Sequence, residues 1–432
     1  MTTTSFSAPV PETDDAVRAD AGAKRIIWAA AIGNGLILYD FTVYSFSAVT
    51  IGHLFFPSGN ALMSLLLSLA TFGSGFVVRP LGAMFIGNLA DRRGRKAGLA
   101  CATSLMTLGT AVIAFIPSYT TIGAAATVIL VLARLMQGFA AGGEVGVSSV
   151  VLMELAAKDR RCYVTSWRGA SQGAAALVGA LVGACVTVAF TPAAVQHWAW
   201  RIPFMLGMLI GPVGWYLRRH MAQTPPSIRQ RPTLKQVFVQ HPRALWFGML
   251  LMAAPTASIY IIVFYMPTYL VTVLHLPPIF SLLAACFASA VIFIGTPLLG
   301  KIADRQRRRK PIQSVTLVMS IMLVYPAFLA LTHGIGELDS LLILCAYAAV
   351  ALSNAGANSV MVLEAFPSRF RASGISIIYS FGVTVFGAFS PLIVTWLIHA
   401  TGNPMAPAWY LLATLCISLF ALFMFPAALA ED

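Results

Sequence analysis

The sequence has little charge. Only 10% of its 432 residues are Asp, Glu, Lys or Arg, and the acids number 15, against about 25% charge in a typical soluble domain. With 58% hydrophobic residues the chain is neither disordered nor an ordinary soluble globule. Cysteine is also sparse. The six, at positions 101, 162, 185, 286, 345 and 416, include no CxxC pair, which excludes a disulfide-rich secreted scaffold and supplies no metal-ligand spacing. They read as small buried side chains. None of the seven histidines falls in the middle of a long apolar stretch, so an intramembrane proton carrier must be sought among the carboxylates. No nucleophile and base pair or metal-ligand set appears in those stretches either, which argues against an enzyme.

Long apolar stretches are what the chain has instead. Its mean hydropathy is +0.82, and glycine (34) and phenylalanine (27) are abundant, as expected where helices pack closely in lipid. Apolar runs of about 20 residues number twelve: near 26–50, 61–87, 98–116, 122–153, 164–190 and 202–217, then 244–270, 279–300, 313–331, 339–363, 373–398 and 409–428. Pro57, Pro117 and the pair Pro277 and Pro278 punctuate the gaps. The pattern predicts an all-α membrane protein. Residues 1–25 read as a polar, disordered tail without a signal peptide. A six-helix bundle is expected over 26–217, a polar linker over 218–243, a second bundle over 244–428 and a short tail over 429–432.

Positive charge is strongly sided. When loops are assigned alternately, 24 of the 28 Lys and Arg fall on one side, and only Arg201 falls on the other. The positive-inside rule makes the basic side cytoplasmic and places both termini there. The net charge of +13 is thereby a topology signal, and its partners are anionic lipid headgroups rather than nucleic acid.

The two halves repeat. GNLADRRGRK (Gly87 to Lys96) follows the second stretch and GKIADRQRRRK (Gly300 to Lys310) follows the eighth, with Asp304 lying 213 residues beyond Asp91. Glu154 and Glu364, 210 residues apart, are a second echo. Duplicated units of this kind build the central sites of many secondary transporters. The acidic-basic turns, Asp91 with Arg92 and Arg95 and Asp304 with Arg305, form a candidate gate, in which Asp91 accepts hydrogen bonds from helix N-termini or pairs with Arg92 or Arg95 in one state and releases them in another.

Several segments resemble the major facilitator superfamily, specifically its metabolite:proton symporter branch: FGSGFVVRPLGAMFIGNLADRRGRK (Phe72 to Lys96), RLMQGFAAGGEVG (Arg134 to Gly146), WAWRIPF (Trp198 to Phe204) and LEAFPSRFRASG (Leu363 to Gly374). The run YDFTVYSF around Asp40 and GVSSVVLMELA after Glu144 are most similar to bacterial citrate and tricarballylate carriers. The resemblance implies two pseudo-symmetric six-helix bundles, an inner-membrane location, alternating access by rocking of the halves, and function as a monomer. It implies no cofactor beyond the coupling proton. The chain departs from it where Arg307 takes the place of Gly94, and where Arg168 replaces the glutamine associated with citrate carriers.

Five ionisable residues lie inside apolar stretches: Asp40, Arg79, Arg134, Glu144 and Arg168. Each must face a partner or a water-filled cavity. Three arginines against two acids favour an anion, and guanidinium forks match carboxylates. Arg134 is placed to touch substrate or to pair with Asp40 or Glu144. Arg79, in the RP pair, is a substrate contact or a structural clamp. Arg168 binds substrate or reaches towards the headgroups, with Gln172 one turn further in. Asn34, Tyr39, Gln137, Asn354, Asn358 and Tyr379 complete the expected substrate contacts. Asp40 is the leading proton carrier, with permanent pairing to Arg134 as its alternative role; Glu144 is second, or else a structural partner near Gly142 and Gly143. The expected function is import of a small organic anion, citrate or a related tricarboxylate, together with protons. A dicarboxylate, shikimate, proline or betaine carrier and an exporter of an anion remain open.

Overall fold

The computed structural model describes residues 31–154, 156–219, 234–306, 309–333, 336–352, 355–367 and 370–426. The expected tails, most of the linker, Arg307, Ser353 and Asn354 lie outside them. Among the described residues every regular element is a helix, as a chain must be that satisfies its backbone without water.

Helix occupies all twelve expected stretches. We number them α1 (Ala31–Phe46, continued by Ala48–Phe55), α2 (Ala61–Ala90), α3 (Lys96–Phe115), α4 (Ala124–Glu154), α5 (Arg161–Ala189) and α6 (Arg201–Gly207 and Ile210–Arg219). The second half holds α7 (Pro242–Thr272), α8 (Pro278–Asp304), α9 (Arg309–Thr332), α10 (Glu337–Leu352 and Ala355–Glu364), α11 (Ser373–Thr401) and α12 (Ala406–Met424). Nine described helices are long and apolar enough to cross a membrane, and α1 is a tenth if its two arms count together. Of the other two, α6 breaks at Met208 and Leu209, and α10 is described on either side of residues 353 and 354. The linker carries a helix of its own, Leu234–Gln240, whose Val237 joins an apolar cluster with Leu245, Phe366 and Phe370.

The first helix of each half is irregular at equivalent places. The arms of α1 meet at 66° around Ser47, and the 213-residue offset of the repeat carries Ser47 onto Tyr260, the start of a π-helical turn in α7 that runs to Tyr265. Wide turns of this kind leave carbonyls free for other partners; here the Ser45 hydroxyl donates to the Phe264 carbonyl at 3.1 Å, across the two halves. Gly94, with φ +90°, forms the tight turn between α2 and α3 that only glycine adopts without strain.

Glycine also sets the packing that builds the site. A Cβ on Gly138 of α4 would overlap the Gly75 carbonyl of α2, and one on Gly142 would overlap the carbonyl of Arg79. The four-residue spacing makes a small-xxx-small seam. This contact lays the backbones carrying Arg79 and Arg134 side by side. Between the halves, α5 runs along α8 and α2 lies against α11.

Candidate substrate and proton sites

The polar core of the first half is a chain of three side chains, all 0% exposed. Arg134 and Gln137 share one face of α4, three residues apart. Arg134 Nη1 donates to Gln137 Oε1 at 2.7 Å, and Gln137 Nε2 donates to Asp40 Oδ2 on α1 and, at 3.1 Å, to Thr110 Oγ1 on α3. Because a guanidinium only donates, the amide oxygen must face Arg134, and both amide hydrogens are then committed. Gln137 therefore stands between Arg134 and Asp40, in place of a direct ion pair. Asp40 Oδ1 has no hydrogen-bond partner among the described residues and faces Gly207 of α6, where a Cβ would come within 3.4 Å of it.

Aromatic faces enclose the two inner guanidinium groups. That of Arg134 lies 4.2 Å from the Tyr44 ring, 4.7 Å from Phe41 and 5.4 Å from Phe72. Arg79 lies 3.9 Å from Phe76 and 5.1 Å from the same Phe41 ring. Such contacts replace part of the lost hydration of a cation. They leave Arg134 Nε and Nη2 and Arg79 Nε without hydrogen-bond acceptors among the described residues.

A cavity of ≈ 130 Å³ lies between the halves. Its first-half wall comes from α5, with Thr165, Arg168 and Gln172, and the remainder comes from the second half, including Tyr260, Gln313, Asn358 and Tyr379. The guanidinium of Arg168 sits 4.2 Å over the Tyr379 ring. Tyr260 also packs on Phe72 and Phe76, with ring centroids 6.0 and 5.6 Å apart, and so divides the cavity from the inner arginines. Arg79 is within electrostatic reach of Tyr260, Tyr379 and Arg168, and Arg134 is within reach of Arg79. The three arginines thus form a series leading from Asp40 to the cavity.

Of the expected substrate contacts, the structure brings Arg168, Gln172, Asn358 and Tyr379 to the cavity wall. Arg79, Arg134 and Gln137 stand behind it. Asn34 Nδ2 donates to the Arg168 carbonyl at 3.2 Å and to the Ser171 hydroxyl at 2.8 Å, tying α1 to α5. The Tyr39 hydroxyl donates to the Pro203 carbonyl at 2.9 Å. Asn354 and the Glu144 side chain lie outside the described residues. Gln313 was not foreseen: three residues after Lys310, it reads in the sequence as part of the headgroup edge.

At the end bearing the basic turns, Asp304 closes α8 onto the start of α5. Its carboxylate accepts from the backbone N–H groups of Cys162 and Tyr163, both at 2.8 Å, at the positive end of that helix. Glu364 of α10 joins Arg161 of α5, 3.6 Å away, and Arg309 of α9. Arg92 and Arg305 are exposed; the side chains of Asp91 and Arg95 lie outside the described residues. Replacing Asp304 with Ala leaves two N–H donors without their charged acceptor, at about 1.5–3 kcal/mol per charge-assisted bond. Maleimide labelling of buried Cys162, as the single cysteine, is expected to accelerate at least about tenfold in Asp304→Ala. An unchanged rate would show that these bonds do not hold this end closed.

The sequence model of the Major Facilitator Superfamily matches residues 30–377. The chain belongs to that superfamily. A citrate-proton symporter of Klebsiella pneumoniae is 36% identical over 406 residues, covering 92% of this chain and 91% of that protein. A proline/betaine transporter of Escherichia coli (strain K12) is 29% identical over 428 residues, covering 95% and 85%. Among solved structures, the partially occluded inward-open conformation of the xylose transporter XylE from E. coli superposes with a TM-score of 0.78 at 16% identity, over 95% of this chain and 99% of that one; it shows the shared fold. Membership makes the protein a multi-pass membrane transporter of the superfamily and not an enzyme.

Proposed function

We propose that the protein imports an organic anion, citrate or a related tricarboxylate, together with protons. The observation that carries this reading is the cavity wall: Arg168 presents a guanidinium there, no carboxylate stands among the described lining residues, and two further guanidinium groups lie directly behind. Guanidinium binds carboxylate in two parallel hydrogen bonds. A quaternary ammonium such as betaine needs open ring faces, and Arg168 already covers that of Tyr379. A neutral sugar leaves the arginine without an anionic partner. The citrate-proton symporter relatives agree with the polycarboxylate choice.

Substrate enters between the halves and binds on Arg168, Gln172, Asn358 and Tyr379. Asp40 carries the proton behind the Tyr260 partition, with Glu144 as the second candidate. Both ligands together favour the switch, which is a coupling of binding free energies rather than a chemical reaction. Rocking about the midplane exchanges contacts at the Ser45 and Phe264 end for those at the Asp304 end. The basic turns face the cytoplasm, in a bacterial inner membrane, with both termini inside.

Competition settles the substrate class. Uptake of labelled citrate by purified protein in liposomes is challenged with citrate, tricarballylate, succinate, proline and betaine. The tricarboxylates are expected to compete most strongly and betaine not at all. Absence of labelled citrate uptake, with uptake of labelled betaine or proline by the same liposomes, would replace this reading with the osmolyte one.

A further inference from the structure

The cavity carries the Arg168 guanidinium on its first-half wall and two buried amide oxygens on its second-half wall. Gln313 and Asn358, 4% and 8% exposed, both line it, and Gln313 Oε1 and Asn358 Oδ1 have no donor among the described residues. The orientation of Asn358 follows from its neighbour: its Nδ2 faces the Met252 sulfur at 4.0 Å, and a thioether only accepts. Three of the lining hydroxyls do not supply the missing donors. Thr256, Thr296 and Ser320 give their protons to the carbonyls of Met252, Ile292 and Thr316, so each can offer only lone pairs to the cavity. A buried acceptor left without a donor is costly. A fully ionised polycarboxylate would set its own lone pairs against this wall.

We propose that Gln313 and Asn358 are specificity-determining residues that accept a hydrogen bond from an O–H group of the substrate, at the end remote from the carboxylate held by Arg168. The substrate is then a carboxylate that retains an O–H donor, either an alcohol hydroxyl or a carboxyl group that is still protonated. In the second case part of the proton cargo rides on the substrate itself. This inference rests on the carboxylate reading given above and narrows it. A site built to receive a hydroxyl rejects an analogue lacking it, because its own polar groups are then left unpaired.

The test is equilibrium binding of labelled citrate and of its analogue without the hydroxyl, tricarballylate, at acidic and at neutral pH. The proteins compared are wild type, the near-isosteric Gln313→Met, and Asn358→Leu. If the O–H is the alcohol, wild type prefers citrate by about tenfold or more at both pH values and the variants lose that preference. If it is a protonated carboxyl, the two ligands bind alike, both more tightly at acidic pH, and the variants lose the pH dependence. Variants that keep both the citrate preference and the pH dependence of wild type overturn the inference while leaving the carboxylate reading intact. Wild type that binds neither ligand overturns both. Gln313→Met keeps the test open if Asn358→Leu does not fold, since it changes neither chain length nor branching.

Discussion

Arg168→Ala is expected to weaken citrate binding about 100-fold, the equivalent of about 3 kcal/mol, because it removes one partner of a desolvated charge pair. The residue is the cation of the cavity wall among the described lining residues. Its backbone is fixed independently of its side chain, since Asn34 and Ser171 hold the Arg168 carbonyl, and the truncated protein therefore keeps α1 on α5. Arg168→Lys restores the charge but not the planar fork and is expected to recover only part of the affinity. Calorimetric titration of the purified variants checks this. Arg134→Ala should change affinity less than Arg168→Ala, because Arg134 lies behind the Phe41, Phe72 and Tyr260 rings. Equal affinity in Arg168→Ala and wild type would remove Arg168 from the substrate site.

Asp40→Asn is expected to abolish uphill accumulation while leaving exchange of labelled for unlabelled substrate. The asparagine keeps the size of the buried side chain and can still accept from Gln137, so the packing of α1 on α3 and α4 survives, but the position can no longer gain or lose a proton. One coupled proton per anion supports about tenfold accumulation for each pH unit of gradient, since about 1.4 kcal/mol corresponds to a factor of ten. In Asp40→Asn the internal concentration should stop at the external one. The exchange measurement separates this from misfolding, which stops both. Accumulation that persists in Asp40→Asn moves the proton to Glu144 or to a carboxyl of the substrate itself. Gln137→Leu removes the link between Asp40 and Arg134 and should lower accumulation while sparing binding at the cavity.

How much of this was legible in the sequence varies with the physics behind each feature. Helix occupies the twelve apolar stretches because bilayer thickness fixes the length of a span and the absence of water forbids other backbone structure. The echo of Asp91 at Asp304 was also readable, since it depends on residue types at a fixed spacing in the chain. Which way a side chain points was not. Gln137 sits one turn from Arg134 in any α-helix, but its place between Arg134 and Asp40 depends on the rotation of α4 against α1 and α3, which the Gly138 and Gly142 seam sets through tertiary contact. Gln313 was missed for the same reason: its place in the chain marks a headgroup edge, and only the docking of α9 against α10 and α12 turns it to the cavity. The break at Ser47 and the π-helical turn at Tyr260 carry no proline or glycine signal at the break itself.

The most direct measurement imposes a pH gradient, acid outside, across liposomes containing the purified protein, with the membrane potential clamped, and follows labelled citrate. Citrate is predicted to rise inside above its external concentration while the gradient lasts and to fall back when a protonophore dissipates it. Citrate that enters only to the external concentration, at the same rate with and without the gradient, would contradict proton-driven import.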